Sequence, residues 1–172
     1  MSNSMPTVLR ASGRWGVRAL TSGALAVGVL TAAPMTTDAH AATRHHRIIE
    51  RKVDDATRVA VHQKGDPYQY GAAGPGRFDC SGLTYFSFRK AGFRHIPRTS
   101  SGQAQWARHV KKHKARRGDL IFFRNSGGVY HVGVFAGRHH GEKYVLHSPY
   151  SGAKVRREKI WTSHWFAGKV PH

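Results

Sequence analysis

The apolar positions of this chain change period near Gly118. Before it they recur every three to four residues; after it they come in short runs rich in β-branched and aromatic side chains. Val53, Ala56, Val59 and Ala60 have helical spacing, and Gly65 and Pro67 close that element. A second helix is predicted over residues 80–91, with Asp79 as its N-cap and Gly92 as its stop. Thr99 or Ser100 can cap a third, Ser100-x-x-Gln103 fits a capping box, and the helix extends to about Arg108. Residues 120–123, 129–135 and 144–147 read as strands, divided by the turn-like segments 125–128 and 139–141. A fourth strand is expected at 153–156, with 161–166 packing across the sheet end. Helices followed by a meander of strands predict an α+β fold, with N-terminal helices packed on an antiparallel sheet.

The first 41 residues have a different texture. Arg10, Arg14 and Arg18 precede a small, apolar stretch over 19–33, and Ala39-His40-Ala41 fits a small-x-small cleavage site. That pattern predicts a signal peptide over 1–41 and an exported chain. The stretch is shorter than the roughly 20 residues that cross a bilayer, although a retained N-terminal anchor is the competing reading. Residues 42–52 read as a short, loosely ordered polar lead, and 53–172 as one domain with one core.

Charge narrows the partners. The chain carries 28 Lys+Arg against 9 Asp+Glu, a net charge of +19. Basic residues crowd the segment 108–117, which contains Arg108, Lys111, Lys112, Lys114, Arg116, Arg117 and no acid. Such a surface attracts polyanions, but it lacks the interleaved aromatics that stack nucleic-acid bases. For an exported chain it suits anionic cell-wall polymers better than nucleic acid; a merely solvated loop is the alternative.

Candidate chemistry centres on Cys80, the only cysteine. An exported protein normally pairs its cysteines, so a lone thiol is either a small buried side chain or a reagent. Its predicted place in the first turn of a helix would stabilise a thiolate, although the helix start and a protonated His131 must together outweigh the opposing carboxylate of Asp79. Of the histidines, His131 lies in a strand pattern in which Val129, His131, Gly133 and Phe135 share one face, and His147 repeats the situation on the next strand. Adjacent antiparallel strands can set the two imidazoles side by side, one serving as base for the thiol and the other orienting it. Zinc held by Cys80, His131 and His147 is the competing reading, but no His-x-Glu or Cys-x-x-Cys spacing supports it. No metal or cofactor is therefore expected.

Six signposts then occur in order: Gly65-x-Pro67-Tyr68-x-Tyr70-Gly71, Phe78-Asp79-Cys80-Ser81-Gly82-Leu83, Ile96-Pro97-Arg98-Thr99-Ser100, Arg117-Gly118-Asp119-Leu120-Ile121-Phe122-Phe123, His131-Val132-Gly133-Val134 and Leu146-His147-Ser148-Pro149. Over residues 54–166 the chain resembles the NlpC/P60 cell-wall peptidases. The resemblance implies a papain-like fold with a Cys80-His131-His147 triad. It also implies a secreted enzyme that cuts peptidoglycan stem peptides, typically at the bond between D-γ-glutamate and the diamino acid; the basic surface would attach it to the cell wall, and a monomer is expected. Tyr68 matches a tyrosine near the substrate and the oxyanion; Asp79 and Ser81 match positions that help hold the stem peptide's free amino end. Tyr70, Ala72 and Arg117 depart from the family's usual Trp, Gly and Pro. An amidase or acyltransferase with the same Cys-His site, and a basic wall-binding protein without catalysis, remain as alternatives.

Overall fold

The computed structural model describes residues 36–171. The expected signal segment lies outside the described residues except for its last six. Those six, including Ala39-His40-Ala41, open a 27-residue helix, α1, at Thr36–His62. The segment 42–52, expected as a loose lead, is therefore helical. Its polar sequence carries no apolar stripe that would announce a helix, and its side chains are mostly exposed. The second half of α1 is anchored where Ala56, Thr57 and Ala60 are buried and the helix packs on α2.

Helix α2 spans Cys80–Lys90, with Ala91 as C-cap, and α3 spans Ser100–Trp106. Six strands follow: β1 (Arg108–Val110), β2 (Leu120–Asn125), β3 (Gly128–His139), β4 (Glu142–His147), β5 (Arg156–Lys159) and β6 (Trp165–Lys169). They form one sheet in the order β1-β6-β2-β3-β4-β5, with every neighbouring pair antiparallel. The α+β architecture read from the sequence is the one observed.

Three expectations about the sheet are corrected. Residues 165–169 do not cross the sheet end; they enter it between β1 and β2. Residues 108–110, at the start of the basic segment, form an edge strand, and α3 stops at Trp106 rather than Arg108. The strand expected at 153–156 lies three residues later, because the backbone of Val155 is claimed instead by the loop after α1: Gly65 N–H donates to Val155 O at 3.0 Å and Val155 N–H to Asp66 O at 2.8 Å.

Alternation along β2 divides the core. Leu120 and Phe122 join Val132, Val134, Leu146 and the helix residues Ala56, Leu83 and Phe88 on one face. Ile121 and Phe123 join Phe135, Val145, Trp165 and Ala167 on the other. Each such fully buried large side chain contributes about 1.5–3 kcal/mol. A β-bulge between Phe123 and Arg124, opposite His131 and Val129, breaks the predicted alternation on β3. Val129 packs with the helix-side cluster, whereas Phe135 belongs to the second and the His131 ring lies 5.5 Å from Phe123. The four residues expected to share a face therefore do not.

Candidate active site

The nucleophile candidate is set by a tight loop and a helix start. Asp79 is the N-cap of α2, its Oδ1 accepting from Gly82 N–H at 2.6 Å, so Cys80 is the first helical residue as expected. A Cβ at Gly82 would overlap Ala72 O, so only glycine lets the loop and the helix approach this closely. Ser148, next to His147 at the end of β4, donates its hydroxyl to Phe78 O at 2.7 Å and ties that strand to the approach to Cys80.

Asp79 is buried and surrounded by donors. Besides Gly82 N–H it accepts from Gly71 N–H (3.0 Å), Ser81 Oγ (3.3 Å) and both terminal nitrogens of Arg98 (3.0 and 2.7 Å). Arg98 also reaches Ser81 Oγ at 3.0 Å and Ala72 O at 3.1 Å. The side chains of Asp79 and Ser81, expected from the resemblance to meet a free amine, are thus held within the protein's own network. Gln103 does not close a capping box; Thr99 caps α3 alone, and buried Gln103 donates to Ser81 O and Pro97 O and meets Thr84. Arg98 and Gln103 were visible in the sequence only as motif positions, because their partners lie up to 26 residues away.

The helix start does not make Cys80 an exposed thiolate. Burial pushes the thiol above its ordinary value and the Asp79 charge adds to this, while the N–H groups of Val132 and Ser81 pull it back. The helix start expected to favour a thiolate is thus met by a burial and an Asp79 charge that both favour the protonated form. The Val132 contact brings Cys80 to the residue that follows His131. Tyr68 is close enough to feel the same charges; its hydroxyl is raised by burial first and then by Cys80 and Asp79.

The two histidines meet as the strand reading expects. His131 Nε2 and His147 Nδ1 are 2.8 Å apart, on neighbouring strands β3 and β4, and both residues are buried. A Cβ at Gly133 would overlap Val145 and stand 3.0 Å from His147 Cβ, so glycine there allows the close approach. Burial holds His131 down to about 3, the neighbouring His147 adds to that, and the Glu158 charge opposes it. His147 is also lowered by burial, against the pull of Glu158. Both rings are neutral at ordinary pH. Trp161 stacks 4.3 Å from Phe123 and 5.4 Å from His147.

Beyond His147 the structure adds residues that the sequence reading missed. Glu158 Oε2 lies 3.0 Å from His147 Nε2 and accepts from Arg156 Nε at 2.9 Å. His147, Glu158, Arg156, Tyr150 and Trp161 line an open cavity of about 400 Å³ beside the imidazoles. Among the described residues no group of three or more His, Cys, Asp or Glu side chains is arranged to hold a metal ion. No described helix is long and apolar enough to cross a membrane.

A thiol at a helix start, a buried imidazole pair and an acid behind it form an arrangement suited to nucleophilic attack on a carbonyl. Comparison with known proteins agrees in kind. A family model described as the NlpC/P60 family matches residues 65–170. The chain is 34% identical over 123 residues to the murein DD-endopeptidase MepH of Escherichia coli K12, covering 66% of this chain and 44% of that protein. It is 42% identical over 81 residues to a probable endopeptidase p60 of Listeria monocytogenes, covering 46% of this chain and 16% of the relative. The chain thus spans less than half the length of either relative. The P60 domain of an antigen from M. avium subspecies paratuberculosis superposes with a TM-score of 0.61 at 30% identity, covering 70% of this chain and 96% of that domain.

Proposed function

The chain belongs to the NlpC/P60 family, and from that premise we propose that it is an exported, wall-associated cysteine endopeptidase of peptidoglycan stem peptides. Cys80 is the nucleophile, His131 the base and acid, and His147 the orienting group. The observation that carries this reading is the buried 2.8 Å His131–His147 pair, set on the strand whose Val132 N–H reaches the Cys80 sulfur.

Because burial disfavours both charged partners, the thiol proton moves to His131 as sulfur attacks the carbonyl, not beforehand. The Cys80 N–H at the helix start, with the Tyr68 hydroxyl, receives the oxyanion; one good donor is worth roughly 3–4 kcal/mol there. Imidazolium His131 then protonates the leaving amine, and as imidazole it activates water to free the acyl group. Asp79, already matched by Arg98, supports the helix start. The bond proposed is that between D-γ-glutamate and the diamino acid.

The basic segment supplies attraction to anionic wall polymers. Lys111, Lys114, Arg116 and Lys169 line an open groove of about 740 Å³ with no acidic residue in its wall. Mass spectrometry of purified wall treated with wild type and with Cys80→Ala tests the assignment. A new free amine on the diamino acid, made by wild type alone, is expected. Release at the amide joining peptide to glycan would select the amidase alternative, and no cleavage by either protein would select the binding protein.

A further inference from the structure

The chain of polar groups does not end at the second histidine. Arg156 lies directly opposite His147 in the β4–β5 register, and Glu158, two residues on, shares the same face of the strand. Three groups bear on Glu158: His147 from β4, with Arg156 Nε and Nη2 from its own strand, each 2.9 Å from Oε2. Arg156 is itself packed against Tyr150, 5.5 Å from the ring centre. Facing His147 are His131, Glu158 and Arg156; facing His131 are His147 and Glu158.

A carboxylate held by Arg156 can only accept, so His147 Nε2 must carry the proton in the 3.0 Å contact. Neutral His147 then has a bare Nδ1, which must receive the His131 Nε2–H across 2.8 Å. His131 is left with its lone pair on Nδ1. We propose that Glu158 is a positioning residue of this site: by accepting the His147 Nε2–H it sets both tautomers so that His131 Nδ1 is the nitrogen that takes the Cys80 proton.

This rests on the Cys80–His131 reading above. In the step itself the S–H bond breaks, the proton joins His131 Nδ1, and His131 becomes imidazolium. Its Nε2–H stays on His147, His147 keeps its own proton on Glu158, and no proton travels further. The new positive charge is then two hydrogen bonds from the carboxylate. Without Glu158 the relay can reverse: His147 Nδ1–H donates to His131 Nε2, and His131 carries its proton on Nδ1, where it blocks the base.

The test uses Glu158→Ala and Glu158→Gln in the full chain, read by ¹⁵N NMR of labelled histidine rings and by iodoacetamide alkylation of Cys80 against pH. Wild type should show both rings protonated at Nε2. Glu158→Ala should show mixed tautomers, alkylate about tenfold or more slowly near neutral pH, and lose kcat with little change in KM. Glu158→Gln, whose amide oxygen can still accept, should fall between. Unchanged ring-nitrogen shifts and alkylation rates in both variants would overturn the proposal, as would a loss explained by melting alone with the tautomers intact. Alkylation needs no wall substrate, so a tautomer change in a protein that cuts no wall would refute the endopeptidase assignment and leave this inference standing.

Discussion

Replacing Arg98 with Met should destabilise the protein by an amount that the site's geometry sets. Arg98 makes two bonds to Asp79, one to Ser81 and one to Ala72 O. Removing it takes the counter-charge from a carboxylate whose side chain is only 10% exposed and leaves it the neutral donors Gly71 N–H, Gly82 N–H and Ser81 Oγ. Breaking one half of a buried pair costs about 3–5 kcal/mol. Because a third of the Arg98 side chain is exposed, the low end applies, about 3 kcal/mol. For a domain of this size that lowers the melting temperature by roughly 10 °C. The unmasked Asp79 charge also lies beside Cys80, so thiol alkylation should slow. The assay is thermal melting by circular dichroism, with Asp79→Asn added to the same background. Asparagine still caps α2 but carries no charge, so the double variant should recover most of the loss. An Arg98→Met protein that melts with wild type, or an Asp79→Asn change that deepens the loss in the Arg98→Met background, would refute the reasoning.

Acid stability should carry the signature of the buried histidines. His131 is held down to about 3 and His147 is also lowered, whereas unfolded histidine titrates near 6.5. Between those values the unfolded chain binds the extra protons. Stability should therefore fall as pH drops through that window, by up to about 1.4 kcal/mol per pH unit for each group. His131→Asn should flatten the slope in denaturant titrations, and an unchanged slope would refute it. Gly133→Ala should cost about 1–3 kcal/mol and impair turnover, because its Cβ overlaps Val145 and crowds His147; wild-type melting and activity would contradict the close-approach argument. Replacing Lys111, Lys114 and Arg116 with Gln should weaken wall binding at low salt as high salt does for wild type, and leave cleavage of a small soluble muropeptide unchanged. Lys112 is spared because it donates to Ser163 O. Equal losses on both substrates would mean that the segment shapes the cleft.

The helix start at Cys80 was legible because capping is local: Asp79 and Gly92 lie within a few residues of the ends they control. The His131–His147 pairing was legible because two strand patterns with a short turn between them bring nearby positions together. Glu158 was not. Its strand, Arg156-Arg157-Glu158-Lys159, is a charged edge with no hydrophobic alternation, and long-range pairing alone decides its register. Strand β6 was hidden for a related reason, since nothing local says that residues 165–169 separate β1 from β2. The burial of the thiol also escaped the sequence, because the Asp79 charge is local whereas the packing that buries Cys80 is tertiary.

The central claim is that Cys80 forms a covalent acyl intermediate with help from His131, and acid-quenched intact-mass spectrometry during muropeptide turnover tests it most directly. The expected result is a mass increase equal to the acyl half of the cleaved stem peptide, mapped to the peptide containing Cys80 and absent from Cys80→Ala, which should show no turnover. Turnover by Cys80→Ala at the wild-type rate would contradict the account.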